Sequence, residues 1–136
     1  MNWEKSCGAI VFTRQGGQLL FVVVQEHSGN YSFPKGHVEG NETELETARR
    51  EVFEEIGLRP AFVEGFLQTD EYDLAEKPGT RKQVVYFLAE FGTETLTPQP
   101  SEIRQIRLLP YEEALSCFWH EGTRQALTEA YRFLTR

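Results

Sequence analysis

Gly36 to Leu58 reads GHVEGNETELETARREVFEEIGL, and the fold is decided there. Thr43 and Glu46 stand in the spacing of a capping box, in which each side chain satisfies a free amide of a helix's first turn. Leu45, Ala48, Val52 and Ile56 fall on one stripe at helical spacing. Gly57 follows where a left-handed cap ends a helix. The pattern predicts a helix over Thr43–Ile56. Beside the apolar stripe, Glu51, Glu54 and Glu55 are spaced i, i+3, i+4 and share an arc of about 100°. Like charges this close repel, and a divalent cation would offset the repulsion. Mg²⁺ suits carboxylate oxygens, with Mn²⁺ as a second candidate. Such an ion neutralises phosphate and activates water. Taken alone, the cluster reads first as an ordinary solvated acidic face, with Arg50 as a salt-bridge partner.

Working outward, Cys7 to Thr13 and Leu19 to Gln25 read as strands, joined by a turn at Gln15-Gly16-Gly17-Gln18. His27 to His37, rich in Gly, Asn, Ser and Pro, reads as a loop. After the helix come strand-like segments at Ala61–Gln68, Gln83–Phe91 and Ile106–Leu109, with a polar loop over Asp70–Lys82. A short helix over Tyr111–Phe118 and a final helix from about Thr123 close the chain. Strands, helix, strands, helices in that order predict an α/β sandwich with a mixed sheet, not a regular βαβ winding.

The 136 residues fit a single domain over 1–136. A net charge of −7 speaks against a broad DNA- or membrane-binding face. The start lacks the layout of a signal peptide. The longest apolar run, Leu19 to Val24, is far short of the ~20 residues a membrane helix needs. Cys7 and Cys117 are too few for a disulfide scaffold or a cysteine metal site, and a reduced pair is expected. The expectation is a cytoplasmic protein acting on a small molecule. Its oligomeric state is left open, with a monomer plausible.

The spacing Gly36-x5-Glu42-x7-Arg50-Glu51-Val52-x-Glu54-Glu55-x-Gly57-Leu58 matches all nine fixed positions of the Nudix box. On composition alone such a match arises on the order of once in a million sequences. The chain therefore resembles the Nudix hydrolases. The resemblance implies an α/β/α sandwich with a mixed β-sheet and metal-dependent hydrolysis of nucleoside diphosphates linked to another group. Glu51, Glu54 and Glu55 match the family's metal ligands, and Gly36 matches the glycine whose backbone lies beside the metal. Arg50 and Glu42 match a structural Arg–Glu pair. Lys35 and His37, next to Gly36, are candidates to meet a polyphosphate; without the resemblance each is an ordinary loop residue.

The flanks resemble the asymmetrical diadenosine tetraphosphate hydrolases: Phe33-Pro34-Lys35-Gly36-His37-Val38-Glu39, Leu45-Glu46-Thr47-Ala48, Glu64-Gly65-Phe66 and Tyr86-Phe87-Leu88-Ala89-Glu90. That branch implies Tyr72 stacking on a purine, with Phe133 or Tyr131 of the last helix as candidates for a second wall, although Phe133, beside Leu134, reads first as a core residue. It also implies Lys82, helped by Arg81, on the distal phosphates. Tyr86 is a further candidate for substrate binding. Glu102 stands where the family places another metal-linked glutamate. Either Glu54 or, less favoured, Glu102 takes the proton of the attacking water. The chain departs from the branch at Gly40-Asn41, where a proline is usual, at Tyr31, where tryptophan is frequent, and around Arg107-Leu108-Leu109, where another tryptophan is missing. The expected reaction is diadenosine tetraphosphate to ATP and AMP. Rival readings are a Nudix hydrolase of nucleoside triphosphates, RNA 5′-triphosphates or inositol pyrophosphates, and a silent nucleotide sensor.

Overall fold

The structure, a computed structural model, describes residues 2–136. Two adjacent left-handed glycines, Gly16 (φ 57°) and Gly17 (φ 79°), make the tight turn between β1 (Asn2–Gln15) and β2 (Gln18–Glu26). Positive φ at both central residues gives the turn the twist that a two-residue hairpin needs. The turn sets the register, with Gln15 opposite Gln18 and Phe12 opposite Phe21.

β1 organises the sheet. Its first half pairs antiparallel with β4 (Lys35–His37), placing Ser6 opposite His37 and Gly8 opposite Lys35. Its other edge runs parallel to β7 (Thr80–Glu90) from Asn2–Thr80 to Phe12–Glu90. β7 in turn carries β5 (Ala61–Phe62) and β6 (Gln68–Asp73) antiparallel. β2 carries β3 (Tyr31–Ser32) and β8 (Ile103–Leu109). Helix α1 is Glu44–Ile56, α2 is Tyr111–Cys117 and α3 is Glu121–Thr135.

Side chains alternate across a strand, so each central strand feeds two cores. Ala9, Val11, Val22 and Val24 pack with Val52 and Ile56 of α1. Ile10, Phe12, Phe21 and Val23 pack with Phe33, Phe118, Leu127 and Ala130 on the side of α2 and α3. Helices on both faces explain why β1 and β2 are apolar without alternation. The mixed-sheet α/β/α sandwich expected from the sequence is what forms. Among the described residues no helix is long and apolar enough to cross a membrane. Cys7 and Cys117 are both free.

Three segments depart from the expectation. His27–His37 is not all loop, because Tyr31–Ser32 and Lys35–His37 find partners on β2 and β1. Ala61–Gln68 is not one strand: it breaks after Phe62, and Gly65 (φ 90°) lies in the break. Asp70–Lys82 is only partly loop. β6 covers Gln68–Asp73 with Thr69, Glu71 and Asp73 exposed and Gln68, Asp70 and Tyr72 half-buried. A strand this polar has no hydrophobic signature; its ladder to β7 holds it.

Candidate metal and nucleotide site

The box helix is capped as its sequence requires. Thr43 Oγ1 accepts from the Glu46 amide at 3.1 Å, and Glu46 Oε1 accepts from the Thr43 amide at 2.8 Å. Gly57 closes the other end at φ 73°. Beyond it the chain loops back to satisfy the last turn: the Thr97 amide donates to the Ile56 carbonyl at 2.9 Å, and the Gln99 amide to the Glu55 carbonyl at 3.1 Å. Carbonyls of a last helical turn have no partner within the helix, which makes them natural anchors. This anchoring brings Glu102 beside Glu55.

Arg50 holds the carboxylates in order. Its Nε and Nη2 donate to Glu42 at 2.7 and 3.1 Å in a two-pronged pair. Its Nη1 donates to Glu51 at 2.8 Å and to Glu54 at 3.2 Å, and Nη2 also reaches the His37 carbonyl at 2.9 Å. The planar fork of arginine suits this many acceptors better than a lysine would. The Arg50 guanidinium, first among several donors, holds the Glu42 carboxyl down to about 2.

Glu51 lies against Gly36. A Cβ built on Gly36 would fall on the Glu51 carboxylate, so any side chain there displaces that glutamate. Glu51 and Glu55 are both nearly buried, at 8% and 6% exposure. Burial raises the Glu51 pKa, and burial followed by the Glu51 charge pushes Glu55 up to about 8. Glu55 opens into a cleft of about 370 Å³ whose walls include Glu26, Ser32, Lys35 and Glu102.

A basic row leads away from this cleft on the other face of the sheet. Lys82, placed by the sequence at the end of the loop Asp70–Lys82, lies in β7 and is 7% exposed. Its Nζ sits 2.9 Å from His37 Nε2. An ammonium only donates, so the ring nitrogen accepts and His37 is neutral. Burial, and then the Lys82 charge, lower the His37 pKa accordingly. Burial and Lys35 lower that of Lys82. Glu4 closes the row, 2.6 Å from Lys77 and 3.6 Å from His37.

Tyr72 pairs with Lys82 across β6 and β7 and so shares its face. It is a strand residue, not a loop residue. Its ring meets His120 edge-on at 4.8 Å, and Trp119, 78% exposed, flanks His120 at 5.9 Å. His120 Nε2 is 2.8 Å from Asp70 Oδ2, a contact that pins the start of α3 to β6. Gly122 permits it, since a Cβ there would strike the Asp70 carboxylate.

Two expected contacts are not formed. Tyr86 is 1% exposed and edge-on to Phe33; it shares the face of Lys82, four residues earlier in β7, but lies where Phe33, Phe118 and α3 cover that face. Phe133 packs on Phe66 under Arg136, and Tyr131 stacks on Tyr111, so neither faces Tyr72. Trp119 and His120 take the place meant for them. Nothing in the spacing of these two residues pointed there; only an aromatic pair at the junction between two predicted helices was visible.

The family model of the NUDIX domain matches residues 4–131. The chain belongs to the Nudix family. A mouse protein named bis(5′-nucleosyl)-tetraphosphatase [asymmetrical] is 32% identical, the match covering 96% of this chain and 95% of that one. A pig protein of the same name matches to the same extent. Among solved structures, an Ap4A hydrolase binary complex from C. elegans superposes with a TM-score of 0.89 over 97% of this chain and 98% of its own, at 23% identity. At that identity the likeness is one of fold.

Nudix hydrolases use divalent metal ions, and the donors of this Nudix chain fit one. Glu51, Glu55, Glu54 and Glu102 offer oxygen only, the choice of a hard cation. Glu51 is paired with Arg50, whereas Glu55 is buried with Lys35 in the same cleft and, among the described residues, in no ion pair; a cation supplies what burial removes. As the side chains stand, Glu54 turns to Arg50. Among the described residues no three acidic, histidine or cysteine side chains converge as a ready-made cage. Binding an ion therefore requires Glu54 to exchange Arg50 for it.

Proposed function

We propose that this chain hydrolyses dinucleoside polyphosphates with Mg²⁺, or Mn²⁺ in its place, cutting diadenosine tetraphosphate off-centre to ATP and AMP. One observation carries the reading. A buried carboxylate cleft and an aromatic wall at Tyr72, His120 and Trp119 lie at the two ends of a basic row, Lys35, His37 and Lys82. A polyphosphate with a base at its end has that sequence of chemistries. The names of the mouse and pig relatives support the substrate class.

In this reading Glu51, Glu54, Glu55 and the Gly36 backbone hold the ion. When bound, Mg²⁺ neutralises phosphate oxygens and lowers the pKa of a coordinated water. Glu54, released from Arg50, would take the proton of the attacking water, with Glu102 as the second candidate base. Lys35 and Lys82 meet the charge that develops on the phosphate chain, and neutral His37 adds a donor through Nδ1. The hydroxyl adds to one phosphorus and the neighbouring P–O bond breaks, leaving two phosphate products. A cytoplasmic setting agrees with the two unpaired cysteines.

Hydrolysis in ¹⁸O-labelled water tests the assignment. Label is expected in only one product of the AMP–ATP pair, with ADP absent. Two equivalents of ADP from diadenosine tetraphosphate overturn the off-centre cut, and no Mg²⁺-dependent cleavage overturns the substrate.

Base recognition is tested separately. Tyr72→Ala is expected to raise KM for adenine-containing substrates about 5- to 150-fold with little change in kcat, the loss of ~1–3 kcal/mol of stacking. Trp119→Ala should act in the same direction. An unchanged KM in both variants removes this wall from the substrate site.

A further inference from the structure

On the far side of α1 from the carboxylate cleft lies a pocket of about 540 Å³, walled by Arg49, Arg50, Phe53, Arg59, Pro60 and Phe62. No acidic residue lines it, in a chain with 21 acidic and 14 basic residues. Arg50 is committed to Glu42, Glu51 and Glu54. Arg49 and Arg59 are exposed, and among the described residues neither is in an ion pair. Both guanidinium groups are held by aromatic rings: Arg59 sits 3.9 Å above Phe53 and Arg49 5.5 Å from Phe62. Phe53 itself is 44% exposed, whereas the other apolar residues of α1 are buried or half-buried.

We propose that this pocket is a second binding site for a nucleotide, separate from the catalytic cleft. Stacked guanidinium groups present fixed forks to the oxygens of a phosphate, and they bind it bidentately. The rings and guanidinium planes beside them accept a purine face, since stacking tolerates any base. The volume is that of a small-molecule site. A bare anion would use the arginines and leave Phe53 idle; an apolar ligand would bury two charges. A purine mononucleotide uses both halves. The proposal stands on these six residues and not on the reading of the catalytic site.

The test is AMP binding to the full chain in EDTA, followed by calorimetry and by side-chain NMR. AMP is expected to shift the ring signals of Phe53 and Phe62, and to do so equally in a Tyr72→Ala chain. Arg49→Ala/Arg59→Ala should weaken this binding at least about tenfold, while leaving Tm and metal-dependent turnover at low substrate unchanged. Arg59→Lys keeps the charge and should fall between the two. Shifts confined to the surroundings of Tyr72, equal affinity of the double variant, or inorganic phosphate binding as tightly as AMP each overturn the proposal.

Discussion

Gly36→Ala is expected to lower kcat by about 10²-fold or more while the chain stays folded. The new methyl falls where the Glu51 carboxylate now lies, so Glu51 must swing away from the cleft. Displacing a catalytic group by about 1 Å can cost 10²-fold in rate. The backbone has less reason to respond. Gly36 sits in β4 opposite Cys7, and its main-chain pairing does not need the absence of a side chain. The stability loss should be that of a local overpacking, about 1–3 kcal/mol. A double-mutant cycle checks the cause: Glu51→Ala vacates the space, so the stability cost of Gly36→Ala should largely vanish in that background. Additive costs, or wild-type turnover in the single variant, would show that Gly36 and Glu51 do not share this contact.

Glu55→Gln should abolish most turnover and yet stabilise the metal-free protein at high pH. Metal catalysis supplies several kcal/mol, and each 1.36 kcal/mol is tenfold, so loss of a ligand predicts a fall in kcat of about 10²- to 10⁴-fold. The stability arm follows from burial. With no ion bound, Glu55 titrates at about 8 against an ordinary value of 4.5. Between those values the folded chain holds a proton that the unfolded chain has released. Stability is therefore complete below the lower value and is lost as pH rises through about 8. The loss is on the order of 5 kcal/mol by pH 9. Glutamine cannot ionise, so this loss should be missing from the variant, whose stability should exceed that of wild type at pH 9. Mg²⁺ should restore stability to wild type and have much less effect on the variant. Chemical denaturation from pH 5 to 9, with and without Mg²⁺, reads all of this. Parallel pH curves for the two chains in EDTA would place the Glu55 carboxylate in solvent.

The carboxylate helix was legible because its signals are local. A capping box, a left-handed glycine and an apolar stripe concern residues within one or two turns of one another, and each formed as its spacing required. The same holds for the Gly16-Gly17 hairpin. The Arg50–Glu42 pairing was expected from the family resemblance, and its geometry confirms the contact. The polar strand β6 escaped notice. Thr69, Glu71 and Asp73 face water and Asp70 bonds to His120, so neither face is apolar enough to mark a strand.

Chain-local chemistry thus settles where the box helix starts and stops and which acids share its arc. Contacts distant in sequence settle the rest. Lys82 meets His37 only because β4 and β7 flank the same strand, β1, from opposite edges. Glu102 reaches Glu55 only because the chain after β7 turns back to cap α1. His120, with Trp119 behind it, stands beside Tyr72 where Phe133 was expected because Asp70 and the bare Gly122 let α3 begin against β6. They depend on strand register, on carbonyls left open at a helix end and on space left at a glycine, and none of these is carried by the spacing of residues along one segment. A one-residue shift of register would turn Tyr72 and Lys82 to the opposite face and dismantle the site with every residue of the box unchanged.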